Sequence, residues 1–124
     1  MSKLRKEIKS FMSGLHDDGQ ELSANFCFSK EFIGFQGHFS DKPVLPGVCN
    51  IQAILCMLRE ATGMVPELKE IVLSKFFNPV FCNEKIVFKV RRTPEGSEVT
   101  RVLALVNNKD NKVAEIRLKV IFKA

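Results

Sequence analysis

The stretch "GHFSDKPVLPGVCNIQAILCMLREATG", residues 37–63, decides how this chain is read. Its first third holds Gly37, Pro43 and several polar residues, the composition of an irregular loop, and that loop carries His38, one of only two histidines. Pro46 then fits the first turn of a helix, where its missing N–H is not needed, and Gly63 is a natural terminator after Thr62. The spacing predicts a helix over 46–62. Val48, Ile51, Leu55 and Leu58 fall on one side of it and Cys49, Ala53 and Cys56 on another, with Arg59 and Glu60 confined to the last turn. A helix apolar most of the way round is buried rather than laid on a surface.

Upstream, a short helix is expected near 3–10 and a strand from there to about His16, because Asp18-Gly19 is a strong hairpin turn. After it, Leu22, Ala24, Phe26 and Phe28 alternate with Glu21, Ser23, Asn25 and Cys27, the period of a half-buried strand. Downstream, "LKEIVLSKFF", "EKIVFKVRRT", "SEVTRVLALVN" and "KVAEIRLKVIF" are β-branched runs separated by turn chemistry in "NPVFCN", "PEGS" and "NNKDN". Four strands at short spacing predict an antiparallel meander or a close relative of one. With the first hairpin this makes an α+β layout, about six strands wrapped around one long central helix.

The bulk numbers agree with one domain spanning 1–124. A chain of 124 residues with 45% hydrophobic and 27% charged residues is an ordinary globular protein that affords a single core. No window approaches the roughly 20 apolar residues that cross a bilayer, and the charged N-terminus is followed by no apolar segment, so a cytoplasmic protein without membrane insertion is expected. Cys27, Cys49, Cys56 and Cys82 form no CxxC pair and lack histidine at metal spacing, and are read as reduced core thiols. The formal charge of +5 suits an acidic partner, but the basic residues are scattered, which argues against nucleic acid and for an acidic protein that carries a substrate. Eleven Phe with no Trp or Tyr either fill the core or line an apolar tunnel, and the sequence leaves both open.

Three features of the opening stretch carry chemistry. The Gly47 amide, with no side chain in the way, is positioned at a helix N-terminus to bind an oxyanion. His38 is of the residue type whose ordinary pKa suits proton abstraction at neutral pH. Gln52, fourteen residues after His38, is a polar side chain on the stripe with Cys49, Ala53 and Cys56. His16, beside the hairpin turn, is read as incidental.

Taken together, "FQGHFSDKPVLPGVCNIQA" resembles the signature of the β-hydroxyacyl-acyl carrier protein dehydratases, Gly-His-Phe-Pro-Gly-x-Pro-Val-Met-Pro-Gly-Val followed by an acidic residue on the helix. It matches at Gly37, His38, Phe39, Pro43, Val44, Pro46, Gly47 and Val48. Further on, "SKFFNPVFCNEKI" is similar to the family's Phe-x-x-Pro-Val-x-Pro-Gly-Asp, with Asn83 in the glycine's place. The resemblance spans about residues 10–123. It implies a hotdog fold, usually dimerised edge to edge, with the active sites at the dimer interface. It further implies that His38 acts as base across that interface with position 52 of the other subunit, that Gly47 holds the thioester carbonyl, and that Val44, Phe39 and Pro46 line the substrate. The implied substrate is a 3-hydroxyacyl thioester on acyl carrier protein or CoA, dehydrated without metal or redox cofactor.

Two departures matter. The helix acid is replaced by Gln52, which hydrogen-bonds but gives no proton to a leaving hydroxide, and Pro-Gly after Phe39 is replaced by Ser40-Asp41. Three readings follow: a dehydratase in which Gln52 orients water or substrate, a non-catalytic acyl-binding or heterodimer subunit, and a hotdog thioesterase.

Overall fold

The structure, a computed structural model, describes residues 3–36 and 42–124. Helix α1 is Lys3–Ser10, and strands β1 (Met12–Asp17) and β2 (Glu21–Cys27) form the expected hairpin. Helix α2 is Gly47–Thr62, followed by β3 (Val65–Phe76), β4 (Lys85–Glu95), β5 (Val99–Asn107) and β6 (Lys112–Lys123). The six strands make one antiparallel sheet in the order β1-β2-β4-β5-β6-β3. The meander therefore runs only from β4 to β6. β3 crosses to the far edge and pairs with β6 rather than with its successor, a long-range choice that local periodicity does not encode.

Alternation along each strand sorts the side chains. Leu22, Ala24, Phe26 and Phe28 are buried, as the period-2 reading requires, and they meet Ile86, Phe88 and Val90 of β4 and Val102, Ala104 and Val106 of β5. Against this face lies α2, with Cys49, Ile51, Ala53, Ile54, Met57 and Leu58 buried in the same core. Gly63 ends the helix with φ of 72° in the left-handed region, its N–H donating to the Arg59 carbonyl. At the other end the helix starts one residue later than expected. Pro46 is extended and precedes the first turn, which leaves Gly47 as the first helical residue. Val48 corrects a second expectation, since it is 57% exposed rather than buried with Ile51 and Leu58.

The phenylalanines divide into two groups. Phe26, Phe28, Phe32, Phe35 and Phe88 are buried, and with half-buried Phe11 they form a chain of ring contacts such as Phe28–Phe32 at 4.7 Å and Phe26–Phe88 at 5.0 Å. Phe76 and Phe77, at the end of β3, are 49% and 47% exposed. Cys27 also departs from expectation. It lies on the outward face of β2 and is exposed, while Cys49 is buried and Cys56 and Cys82 are half-buried.

Asp17 and Asp18 fasten the β1–β2 turn. Asp17 Oδ1 accepts from the Gly19 N–H at 2.9 Å, and Asp18 Oδ1 accepts from the Gln20 and Glu21 N–H groups at 2.9 and 2.6 Å. The Gly19 N–H, helped by Arg92, holds the Asp17 carboxyl below the ordinary aspartate pKa, and the Glu21 and Gln20 N–H groups do the same to Asp18. These carboxylates favour the folded turn fully above the ordinary aspartate pKa, and the effect is lost as pH falls through their lowered folded values. In an NMR titration, the Gly19, Gln20 and Glu21 amide resonances should move with midpoints below that of an unstructured aspartate. A midpoint at the ordinary value would show that the turn contacts contribute nothing.

Candidate functional site

The first turn of α2 leaves the Gly47 amide available, while the Cys49 N–H already donates to the Pro46 carbonyl at 3.0 Å. Pro46 has no side-chain hydrogen-bonding group and makes no cap, and the Gly47 N–H has no hydrogen-bond partner among the described residues. The chain entering this turn is held from below. The Leu45 N–H donates to the Val80 carbonyl at 2.8 Å, and Val44 pairs with Phe81 in an isolated antiparallel bridge. The receiving segment turns at Asn83, whose φ of 64° is left-handed and whose N–H donates to the Phe28 carbonyl at 2.7 Å. Asparagine tolerates this conformation better than other side chains, which explains how it stands where the resembling signature has glycine.

Together these elements frame a groove of about 400 Å³ with Gly47 on its floor, Val44 and Val80 on one side, and Phe76 and Phe77 on the other. The Phe76 ring comes so close that a Cβ on Gly47 would meet its Cζ at 2.8 Å. A glycine here leaves the amide open to a ligand and lets the ring lie against the backbone.

Asn50 also lines this groove, a residue the sequence reading passed over. It is 3% exposed, and its Oδ1 has no hydrogen-bond partner among the described residues. An unpaired buried amide group is destabilising by about 1–3 kcal/mol. The signal was present in the sequence as a second amide on an apolar helix, three residues after Gly47 and hence on its face.

Gln52 faces elsewhere. It lines a small cleft of about 40 Å³ with Arg5 and Lys9 of α1, Cys56, Arg59 and Val65, where Lys9 pairs with Glu60 at 3.2 Å. Within one chain, then, Gly47 and Val44 share the groove and Gln52 does not. Pro46 contributes backbone geometry at the helix start. His38 and Phe39, together with Gly37, Ser40 and Asp41, lie outside the described residues. His16 is exposed. Among the described residues no three His, Cys, Asp or Glu side chains gather to hold a metal, and no helix is long and apolar enough to cross a membrane. Two thiols lie near the helix face. Burial pushes Cys49 up to about 11 and raises Cys56 as well, with Glu60 adding to the latter.

Comparison with known proteins places this arrangement. The ApeI-like family model, described as ApeI dehydratase, matches residues 15–117. No curated protein matches the chain. Among solved structures, the dehydratase heterocomplex ApeI:P from Xenorhabdus doucetiae is similar at 18% identity and TM-score 0.70, covering 89% of this chain and 96% of that one. The E. coli PaaI protein from the phenylacetic acid degradation operon is similar at 12% identity and TM-score 0.71, covering 96% and 89%. A hypothetical thioesterase with coenzyme A from Streptococcus pneumoniae is similar at 8% identity and TM-score 0.64, covering 90% and 86%. The architecture they share is the hotdog fold.

Two outcomes are expected of this geometry. Gly47→Ala should change the unfolding free energy by less than about 1 kcal/mol, because half-exposed Phe76 can swing aside, while narrowing the groove enough to weaken a carbonyl ligand of the Gly47 amide about tenfold. Urea titration and calorimetric binding measure the two effects. With iodoacetamide at pH 8, Cys27 should be modified in the folded protein while Cys49 is protected until the protein unfolds; mass spectrometry of the labelled peptides would reveal early labelling of Cys49 if the burial is not real.

Proposed function

This chain belongs to the ApeI-like dehydratase family, and on that premise we propose that it removes water from a 3-hydroxyacyl thioester carried on acyl carrier protein or CoA, in fatty-acid or related lipid or polyketide synthesis. The observation that carries this reading is the unpartnered Gly47 N–H on the floor of an apolar groove large enough for an acyl segment.

The steps follow from the groups available. A thioester carbonyl oxygen accepts from the Gly47 N–H, and the positive end of α2 stabilises the enolate as the C2–H bond breaks. His38, nine residues before Gly47 in the sequence, takes the C2 proton. The electron pair then forms the C2=C3 double bond as the C3–O bond breaks, and the imidazolium of His38 returns the proton it took from C2 to the departing oxygen, which leaves as water. This acid–base route calls for no metal or redox cofactor. Gln52 holds the departing oxygen or a water by hydrogen bonds but supplies no proton, so water loss is slower than with a carboxylic acid there.

A second copy of the chain completes the site in this reading. β3 is an edge strand of 12 residues with Ile71, Val72 and Phe76 exposed and Phe77 exposed just beyond it, an unprotected edge of the kind that pairs with another strand. Pairing through it makes a homodimer in which Gln52 of one copy serves the groove of the other; a heterodimer would use the same edge, and a higher oligomer would join such dimers through other surfaces. The single domain of 1–124 acts in the cytoplasm, and its surplus of cationic side chains attracts an acidic carrier.

Gln52 itself favours the second reading, an acyl-binding subunit whose partner supplies the acid. Incubation with a 3-hydroxyacyl thioester separates these and the thioesterase reading by product: enoyl thioester, unchanged substrate or free acid. For a dehydratase, Gln52→Glu should accelerate water loss by at least about tenfold and His38→Ala should abolish it. A folded Gln52→Glu protein with unchanged rate would remove position 52 from the proton path.

A further inference from the structure

Asn50 stands in the groove for a reason that the proposed chemistry leaves unused. It is the one buried polar residue among those described, and its Oδ1 has no hydrogen-bond partner there. Folded chains seldom keep an orphaned acceptor in an apolar setting unless something else fills it. The groove supplies the place. Asn50 and Gly47 both line it, three residues apart on one helix, so they share a face with an axial rise of about 4.5 Å between them.

That rise matches the length of one chemical unit. With a thioester carbonyl on the Gly47 N–H, the chain passes from the carbonyl carbon through C2 to C3, and a hydroxyl on C3 reaches one turn along the helix. We infer that Asn50 receives the 3-hydroxyl of the substrate, its side-chain amide turning so that Oδ1, enclosed by protein here, accepts the hydroxyl hydrogen, and that it is the residue by which the groove prefers 3-hydroxyacyl chains over saturated or unsaturated ones. The inference rests on the thioester reading of the Gly47 amide. It adds to that reading a specificity-determining contact, distinct from position 52, that transfers no proton. Val44, Val80, Phe76 and Phe77 around it provide no competing donor or acceptor from their side chains, and the other amide in the lining, Asn78, already donates its Nδ2 to the Lys112 carbonyl at 2.7 Å.

The test uses three pantetheine amides of equal chain length, bearing 3-hydroxyacyl, saturated acyl and 2-enoyl groups, titrated calorimetrically into the wild type, Asn50→Leu and Asn50→Ser. The wild type should bind the hydroxylated compound about tenfold more tightly than the other two, the scale of one well-made hydrogen bond. Asn50→Leu should lose that preference while binding the saturated compound at least as well, and its Tm should rise by a few degrees because the orphaned oxygen is gone. Asn50→Ser, which retains an acceptor, should restore part of the preference and keeps the test intact if the leucine variant fails to fold. Equal binding of all three compounds by the wild type would overturn the inference, as would an undiminished preference in Asn50→Leu or a fall in its Tm with the preference intact. No binding of any compound would overturn it together with the groove. Turnover is measured separately. A wild type that dehydrates substrate without preferring the hydroxyl sinks only the Asn50 assignment, and one that prefers the hydroxyl without turnover sinks only the dehydratase reading.

Discussion

The structure depends on a helix that must be buried and cannot be capped. α2 is apolar around most of its circumference, and the inward faces of β2, β4, β5 and β6 close around it. Its first turn follows Pro46 and begins with Gly47, a pair with no side-chain atom that could accept a hydrogen bond from the turn's free amides. A helix start whose amides have no partner in the protein must find one in solvent or a ligand. Here the deficit faces a groove, where a ligand oxygen has access to it. The same placement concentrates the partial positive charge of the helix where a thioester would develop negative charge.

The surrounding parts keep that turn in place without filling the space above it. The Leu45–Val80 hydrogen bond and the Val44–Phe81 bridge fix the entry to the helix, and Asn83 supports the receiving turn in a conformation few side chains tolerate. The phenylalanine-rich core to the other side is closed by ring contacts, so the aromatic groups left open at Phe76 and Phe77 belong to the groove and to the free edge of the sheet. The two roles open to this unusual composition, packing and lining, are both present and separated by strand position.

Local signals in the sequence were sufficient for the elements and insufficient for their assembly. Asp18-Gly19 located the hairpin, alternation from Leu22 to Phe28 chose its inner face, and Gly63 ended α2 where expected. The position of β3 depends on its pairing with β6 some fifty residues away, which no short window contains. Asn50 is visible in the sequence only as a second amide on an apolar helix, and it acquires meaning once the groove beside it is known. Gln52 was legible as a departure from the resembling signature, whereas its facing α1 and not the Gly47 groove required coordinates. Cys27 reads as a core thiol by residue type, but its place in the alternation of β2 puts it outside, and the alternation prevails.

In the proposed reading amides replace stronger chemistry: a backbone N–H for the oxyanion, Asn50 for recognition and Gln52 where the resembling signature has an acid. The most direct measurement is a crystal structure with a non-hydrolysable 3-hydroxyacyl-pantetheine amide. The account predicts the acyl carbonyl oxygen about 2.7–3.1 Å from the Gly47 nitrogen, with the chain running between Phe76 and Asn50. An acyl group seated wholly in the Arg5–Gln52 cleft, with the Gly47 amide untouched, would contradict it.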